Sequence, residues 1–307
     1  MNQKNNQQKI VPCLWFNKEA EGAVNFYTKI FNGGKIHNTS HYTEAGREIH
    51  GMEAGTVLTV EFEIEGFTFL ALNGGPTFKF SPAISFTVRC PMIDEVNELW
   101  EKLKVGGTVL MPLTSYPFSE RYGWIQDKYG LSWQLLYSNT VEERELVPTF
   151  LFVGKNCGKA EEAMTFYTLL FNVNSSVNDV ARYGADQSPD KEGTIMHANF
   201  TLAGQTFSAM DSAQEHNFTF TEAVSLMVNC ETQGEIDYYW EKLTAVPESE
   251  QCGWLKDSYG VSWQIVPKVL GEMLSSSDKQ KTNQVMEALL QMKKLDISKL
   301  EEAYITK

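Results

Sequence analysis

The sequence predicts an α+β protein built from two tandem copies of one unit. An ordered set of matches recurs at fixed offsets along the 307 residues. Within each copy, two short helical patterns stand among many short strand patterns. The polar, charged stretch SNTVEERE separates the copies, as a domain boundary should.

The repeat is read directly. Phe26-Tyr27-Thr28 returns as Phe166-Tyr167-Thr168, Ser85 and Cys90 as Ser225 and Cys230, and Trp100-Glu101-Lys102-Leu103 as Trp240-Glu241-Lys242-Leu243. The longest match sets WIQDKYGLSWQLL, from Trp124, against WLKDSYGVSWQIV, from Trp254. The offset falls from 140 to 130 before this last match, so the second copy lacks about ten residues there. Residues 9–138 form the expected first domain and 146–268 the second.

Each element has a local reason. Leu14-Trp15-Phe16 reads as a strand. Ala20, Ala23, Val24, Tyr27, Ile30 and Phe31 follow at helical spacing, and Asn32-Gly33-Gly34 ends the helix. Val57 to Ile64 alternates, Glu65-Gly66 turns, and Phe67–Leu72 returns. Ile84–Val88 is a further strand, Val96, Leu99, Trp100 and Leu103 mark a second helix, and Trp124–Gln126 and Ser132–Tyr137 close the copy. Residues 111–124 read as a long loop. One copy is therefore β-α-β-β-β twice over, and the chain holds four such modules. From Val269 the pattern changes. Val285, Met286, Leu289 and Leu290 lie on a helix that Asp278 can cap, and a break at Asp296-Ile297-Ser298 precedes a second apolar stripe. Residues 269–307 are thus expected as a helical extension packed on the second copy or on a partner chain.

Composition excludes several classes. The net charge of −13 and the lack of a Lys/Arg cluster argue against a nucleic-acid partner. No apolar run reaches the roughly 20 residues of a membrane span. The polar start MNQKNNQQK reads as a flexible lead-in without a signal-peptide core. Five widely spaced cysteines, with no C-x-x-C, suit reduced thiols in a cytoplasmic protein rather than a disulfide frame or zinc site. Neither a dinucleotide fingerprint nor a P-loop occurs.

The apolar first strand, the polar loop with A-x-x-F-Y-x-x-x-F, and the run G-W-x-x-D-x-Y-G-x-S-W-Q resemble the PhnB-like branch of the vicinal oxygen chelate superfamily. That superfamily includes glyoxalase I, bleomycin-resistance proteins and extradiol dioxygenases. The resemblance covers both copies up to residue 268. It implies tandem glyoxalase-like domains in which paired modules form a curved, mostly antiparallel sheet around a ligand-binding cup.

In metal-dependent relatives, His and Glu at four strand positions hold a divalent cation. Carried over by position, these fall at about Pro12 and Pro148, Ala83 and Ala223, Gln134 and Gln264, and near Asn73 and Asp211. Pro and Ala cannot ligate, and Gln is a weak neutral donor. No metal and no other cofactor is therefore expected, and no Gly-rich loop supports a methyltransferase reading.

Other polar groups could furnish a cup. His197 and Asp211 lie fourteen residues apart on consecutive strands, Thr194–Leu202 and Thr206–Met210, a pattern that also resembles the PhnB branch. Together they could form a general base, although a structural hydrogen-bonded role is the plainer reading. Arg121 could clamp an anion, with Tyr122 beside it, and a surface ion pair is its plainer role. Gln134 and Gln264 could hydrogen-bond a ligand, and Trp124 and Trp254 could wall it. Asp127 and Asp257 should cap a turn before the last strand.

The sequence thus leads to a small-molecule-binding protein that needs no catalytic metal. The alternatives are an isomerase, lyase or dioxygenase with its site in the second copy, and a structural or interaction protein with filled cups. The expected partner is a small-molecule ligand, with the copies forming an internal pseudo-dimer and homo-oligomerisation left open.

Overall fold

The computed structural model describes residues 8–305. The expected lead-in falls mostly on residues 1–7, outside the described residues. In chain order the elements are β1 (Ile10–Phe16), α1 (Ala20–Ile30), β2 (Lys35–His41), α2 (Arg47–His50), β3 (Val57–Ile64), β4 (Phe67–Asn73), β5 (Ile84–Cys90), α3 (Ile93–Leu103), β6 (Thr108–Tyr116), β7 (Ser119–Gln126) and β8 (Ser132–Tyr137). The second copy supplies β9 (Glu145–Val153), α4 (Ala160–Phe171), β10 (Ser176–Arg182), β11 (Ile195–Leu202), β12 (Gln205–Ser212), β13 (Val224–Cys230), α5 (Gln233–Leu243), β14 (Trp254–Lys256) and β15 (Ser262–Pro267). Helices α6 (Lys268–Leu274), α7 (Lys279–Leu290) and α8 (Ile297–Ile305) form the extension.

The strands make two curved sheets of seven and eight strands, neither closed into a barrel. The sequence repeats and the sheets are divided differently. The first sheet runs β14-β15-β13-β1-β4-β3-β2, and the second runs β10-β11-β12-β9-β5-β8-β7-β6. The first module of copy one therefore shares a sheet with the second module of copy two, and the two middle modules share the other. Antiparallel pairs make both joins, with Cys13 opposite Ser225 and Ser85 opposite Thr149. Compactness follows the sheets. Among the described residues, one unit gathers those up to Thr28, Lys35–Phe78 and those from Glu222, and the other gathers Lys29–Gly34 and Lys79–Thr221. Equivalent module edges offer equivalent backbone donors and acceptors, so pairing within a copy and between copies look alike in sequence.

Alternation decides which side chains face which way. In the second unit Phe86, Trp133, Phe150, Phe200 and Phe207 lie on the convex face, where the helices pack, and all are buried. Ser85, Thr87, Gln134, Thr149, Asn199 and Ser208 occupy the concave face. The first unit repeats the scheme, with Cys13, Ser225 and Gln264 concave and Phe62, Phe69 and Trp263 convex.

Three local expectations meet clear outcomes. Asp127 Oδ1 accepts from the N–H groups of Tyr129 and Leu131 while Oδ2 accepts from Trp133 Nε1, and Asp257 does the same for Tyr259, Val261 and Trp263. Asp278 caps α7 through the N–H groups of Gln280 and Lys281. The stretch 111–124, expected as a loop, is instead the hairpin β6–β7, with Met111 paired to Trp124 and Thr114 to Tyr122. Its Pro and Ser residues hid the strand pattern because β6 is an edge strand, where Pro112 leaves no ladder bond unmade.

Candidate functional site

The floor of each concave face is a small polar network. In the second unit Gln134 Nε2 donates to Ser85 Oγ at 2.7 Å, and Tyr122 Oη donates to Gln134 Oε1 at 2.8 Å. Thr87 and Thr149 share a hydroxyl bond of 2.8 Å beside them. In the first unit Gln264 Nε2 donates to Ser225 Oγ at 2.9 Å, and the Cys13 thiol lies beside both side chains. Burial pushes that thiol up to about 12, against the opposing effect of the neighbouring Gln264 and Ser225 side chains.

These networks correct the positional carry-over. Pro12 and Pro148 face the convex side, one residue from the concave Cys13 and Thr149. Ser85 and Ser225, rather than Ala83 and Ala223, meet the glutamines. The donor sets are Cys13, Ser225 and Gln264 in one unit and Thr149, Ser85 and Gln134 in the other. Each is neutral, and the one thiol is held protonated. Such sets do not fit the catalytic divalent cation of the metal-dependent relatives. Among the described residues, no three His, Cys, Asp or Glu side chains come together as a metal cluster.

His197 and Asp211 lie on opposite faces of the second sheet. Asn199 pairs with Ser208 on the concave face, which places His197 there too, whereas Asp211 shares the convex face with Ala209. Asp211 is a structural acceptor. Its Oδ1 takes the N–H groups of Gly158 and Ala160 at the start of α4, and Oδ2 takes Ile195 N–H. Asn73 serves the first copy alike, accepting from Ala20 N–H and donating to the Val57 carbonyl. Burial raises the Asp211 carboxyl above its ordinary value, with the three backbone donors opposing. His197 is pushed below its ordinary value, first by burial and then by the Arg89 guanidinium, with Asp179 acting the other way.

Arg121 also points away from the glutamine. Its Nε donates to Asn97 Oδ1 on α3 at 2.7 Å, because alternation sets it on the opposite side of β7 from Tyr122. Trp124 is concave and half-buried, with Nε1 donating to Ser132 Oγ at 2.7 Å. Trp254 stands edge-on to Trp15 with ring centres 5.9 Å apart, and Trp15 meets Phe78 at 4.9 Å.

One group escaped the sequence reading. Arg89 lies on the concave face of the second unit, where Nη1 donates to Glu145 at 3.1 Å and Nη2 to Asn199 Oδ1 at 2.5 Å. Ser208 Oγ donates to the same Asn199 oxygen at 2.8 Å. A lone arginine in the apolar strand ISFTVRC was the available signal. The second copy has Asn229 at that place.

A family model described as 3-demethylubiquinone-9 3-methyltransferase matches residues 8–136 and 144–266. The chain belongs to that family. Its two segments follow the sequence repeats rather than the sheets. A putative 3-demethylubiquinone-9 3-methyltransferase, PhnB protein, from Bacillus cereus is 41% identical across 43% of this chain and 100% of its own, with a TM-score of 0.39. A mutant of glyoxalase I from Zea mays is 12% identical across 85% of this chain and 95% of its own, with a TM-score of 0.50, a likeness of fold. No curated protein matches. The PhnB-like family and the glyoxalase fold therefore agree with the resemblance read from the motifs.

The two concave faces of this PhnB-like chain differ in what lies over them. In the first unit the C-terminal helices reach from one edge of the sheet to the other. Cys252 N–H donates to the Met292 carbonyl beside β14, and Asn38 on β2 donates to Ser275 Oγ. Leu270, Met273, Val285, Met286, Leu289, Leu295 and Leu300 form one buried cluster there, against Val266 and Cys252. Near β2, Gly46 takes a left-handed φ of 76° and lies so close to the helices that a Cβ would stand 2.4 Å from Leu290 Cδ1. In the second unit His197, Asn199, Met210, Trp124 and Leu136 remain half-buried on the concave face.

Proposed function

We propose that this protein binds a small molecule on the concave face of its second unit, without a catalytic metal. The difference in cover carries the reading: the first unit's face is bridged by its own helices, and the second unit's polar row keeps partial access. Half-buried apolar groups (Trp124, Leu136 and Met210) flank polar ones (His197, Asn199 and Arg89), the mixture that orients a small ligand within an apolar site. Arg89 and Asn199 offer donors to ligand oxygens, and His197, held neutral, can donate or accept.

The methyl transfer in the family's description is not carried into this reading, since nothing in the row supplies a recognisable grip for a methyl donor. Nor is a general-base pair of His197 and Asp211, because the two side chains stand on opposite faces. Native mass spectrometry of the purified full chain tests the proposal. A co-purifying small molecule is expected, lost in Asn199→Ala and His197→Ala. Titration with Ni, Zn, Mn and Fe is expected to leave no stoichiometric complex. Tight one-to-one metal binding, or ligand retention indifferent to both substitutions, would overturn it.

A further inference from the structure

The two copies place one tryptophan differently on equivalent backbone. Trp124 pairs with Gln134 and Gln126 with Ser132, and in the same register Trp254 pairs with Gln264 and Lys256 with Ser262. In the first copy the Trp124 indole N–H reaches across the strand pair to Ser132 Oγ at 2.7 Å. In the second copy the matching Ser262 hydroxyl is buried with no partner. Trp254 has turned edge-on to Trp15 instead, with ring centres 5.9 Å apart and planes at 83°.

Trp15 is what draws it away. The second unit has Leu151 at the equivalent strand position, so Trp124 has no such ring to meet there. Trp15 itself is a fixed platform. Its Nε1 donates to the Gly75 carbonyl at 2.7 Å. Gly74 backs the ring so closely that a Cβ would stand 2.3 Å from Trp15 Cε2. Phe78 meets it from another side, with ring centres 4.9 Å apart and planes at 73°. Trp15, Phe78 and Trp254 all stay half-buried, so solvent reaches them although the helices bridge the first unit's face.

We propose that the Trp15 platform binds a flat aromatic or heteroaromatic molecule of indole size, which takes the place of the Trp254 ring while Trp254 swings to Ser262. Trp254 alone serves one of its two partners at a time. Against Trp15 it makes a ring contact and leaves the Ser262 oxygen orphaned. Against Ser262 it makes the hydrogen bond and leaves Trp15 uncovered. A ring contact and a hydrogen bond are of similar worth, so the two placements lie close in free energy. A ring supplied from outside restores the contact with Trp15 and releases Trp254 to Ser262, so only the bound state satisfies both partners. The vacated place has the thickness of an indole, which selects a flat ring over a branched aliphatic group. This site does not depend on the ligand proposed for the second unit.

Calorimetry and indole N–H NMR of the full chain with indole and quinoline test this, with Trp254→Phe identifying the Trp254 signal. Saturable binding of at least one probe is expected, and with it slowed solvent exchange of the Trp254 indole proton. Ser262→Ala should weaken that binding about five-fold, the effect of one lost hydrogen bond, and abolish the slowed exchange. Trp15→Leu, which reproduces the second unit, should abolish binding and slow the Trp254 proton with no probe present. Ser262→Ala keeps the test alone if Trp15→Leu does not fold. No saturable binding of either probe, binding that leaves the Trp254 proton in fast exchange, or affinity indifferent to Ser262→Ala would overturn the proposal.

Discussion

Cys252 donates its backbone N–H to the carbonyl of Met292 at 2.8 Å, and Gly253 does the same to Lys293 at 2.7 Å. In the first copy the residue matching Cys252 is Tyr122, whose strand pairs with β6 through Thr114. The ten residues missing before Trp254 would have built the same hairpin. The turn between α7 and α8 has taken its place, and Gln251 Nε2 adds a bond to the Leu290 carbonyl. The shortened copy and the helical extension are thus one feature: the deletion exposes a strand edge and an apolar face, and the extension satisfies both.

Leu295 anchors this replacement and is fully buried. Leu295→Ala should cost about 2–5 kcal/mol, the usual range for an apolar truncation in a packed core. Urea denaturation followed by tryptophan fluorescence measures it. A cost under about 1 kcal/mol would mean that the extension rests loosely on the sheet.

Asp211 should behave as a structural group. Asp211→Ala strips acceptors from Gly158, Ala160 and Ile195, and should cost about 1–3 kcal/mol. Its carboxyl is raised in the fold, so the folded state takes up a proton more readily than the unfolded one. The stability it contributes is fully present in acid and declines as pH rises through its folded value. The destabilisation by Asp211→Ala should therefore be larger in acid than at neutral pH, opposite to an ion-paired carboxylate. Denaturant curves at two pH values decide it.

Much of this was legible in the chain, and the limits have physical causes. Local patterns gave Val57–Ile64, the Glu65-Gly66 turn, and the Asp127 and Asp257 turns, because neighbours within a few residues determine them. The exchange of modules was not legible, since β1 pairs with β13 across more than two hundred residues and no local pattern chooses between equivalent edges. Spacing drew His197 and Asp211 together, yet strand alternation sends them apart. Arg89 was missed because one charge within an apolar strand looks like surface until its neighbours Glu145 and Asn199 are known. The offset change signalled the deletion before Trp254 but not what fills it.

His197 offers a second pH readout. It is held below its ordinary value of 6.5 by burial and by Arg89. A depressed histidine contributes stability that is present above its unfolded value and lost as pH falls through its folded one. An NMR titration of the ring should show a midpoint below 6.5, and Arg89→Met should move that midpoint upward. A midpoint at or above the ordinary value would place the ring in solvent, away from the guanidinium.

The matching serines Ser132 and Ser262 make a final paired test. Ser132 accepts the indole N–H of Trp124, whereas Ser262 Oγ is buried with no partner, because Trp254 turns toward Trp15 instead. Ser132→Ala removes an acceptor from a half-buried indole and should cost about 1 kcal/mol. Ser262→Ala removes an unsatisfied hydroxyl and should be neutral or stabilising by a similar amount, about 0–1 kcal/mol. Equal losses at the two sites in denaturant curves would show that Ser262 finds a partner in solution, and with it that Trp254 leaves Trp15 and returns to the arrangement of the first copy.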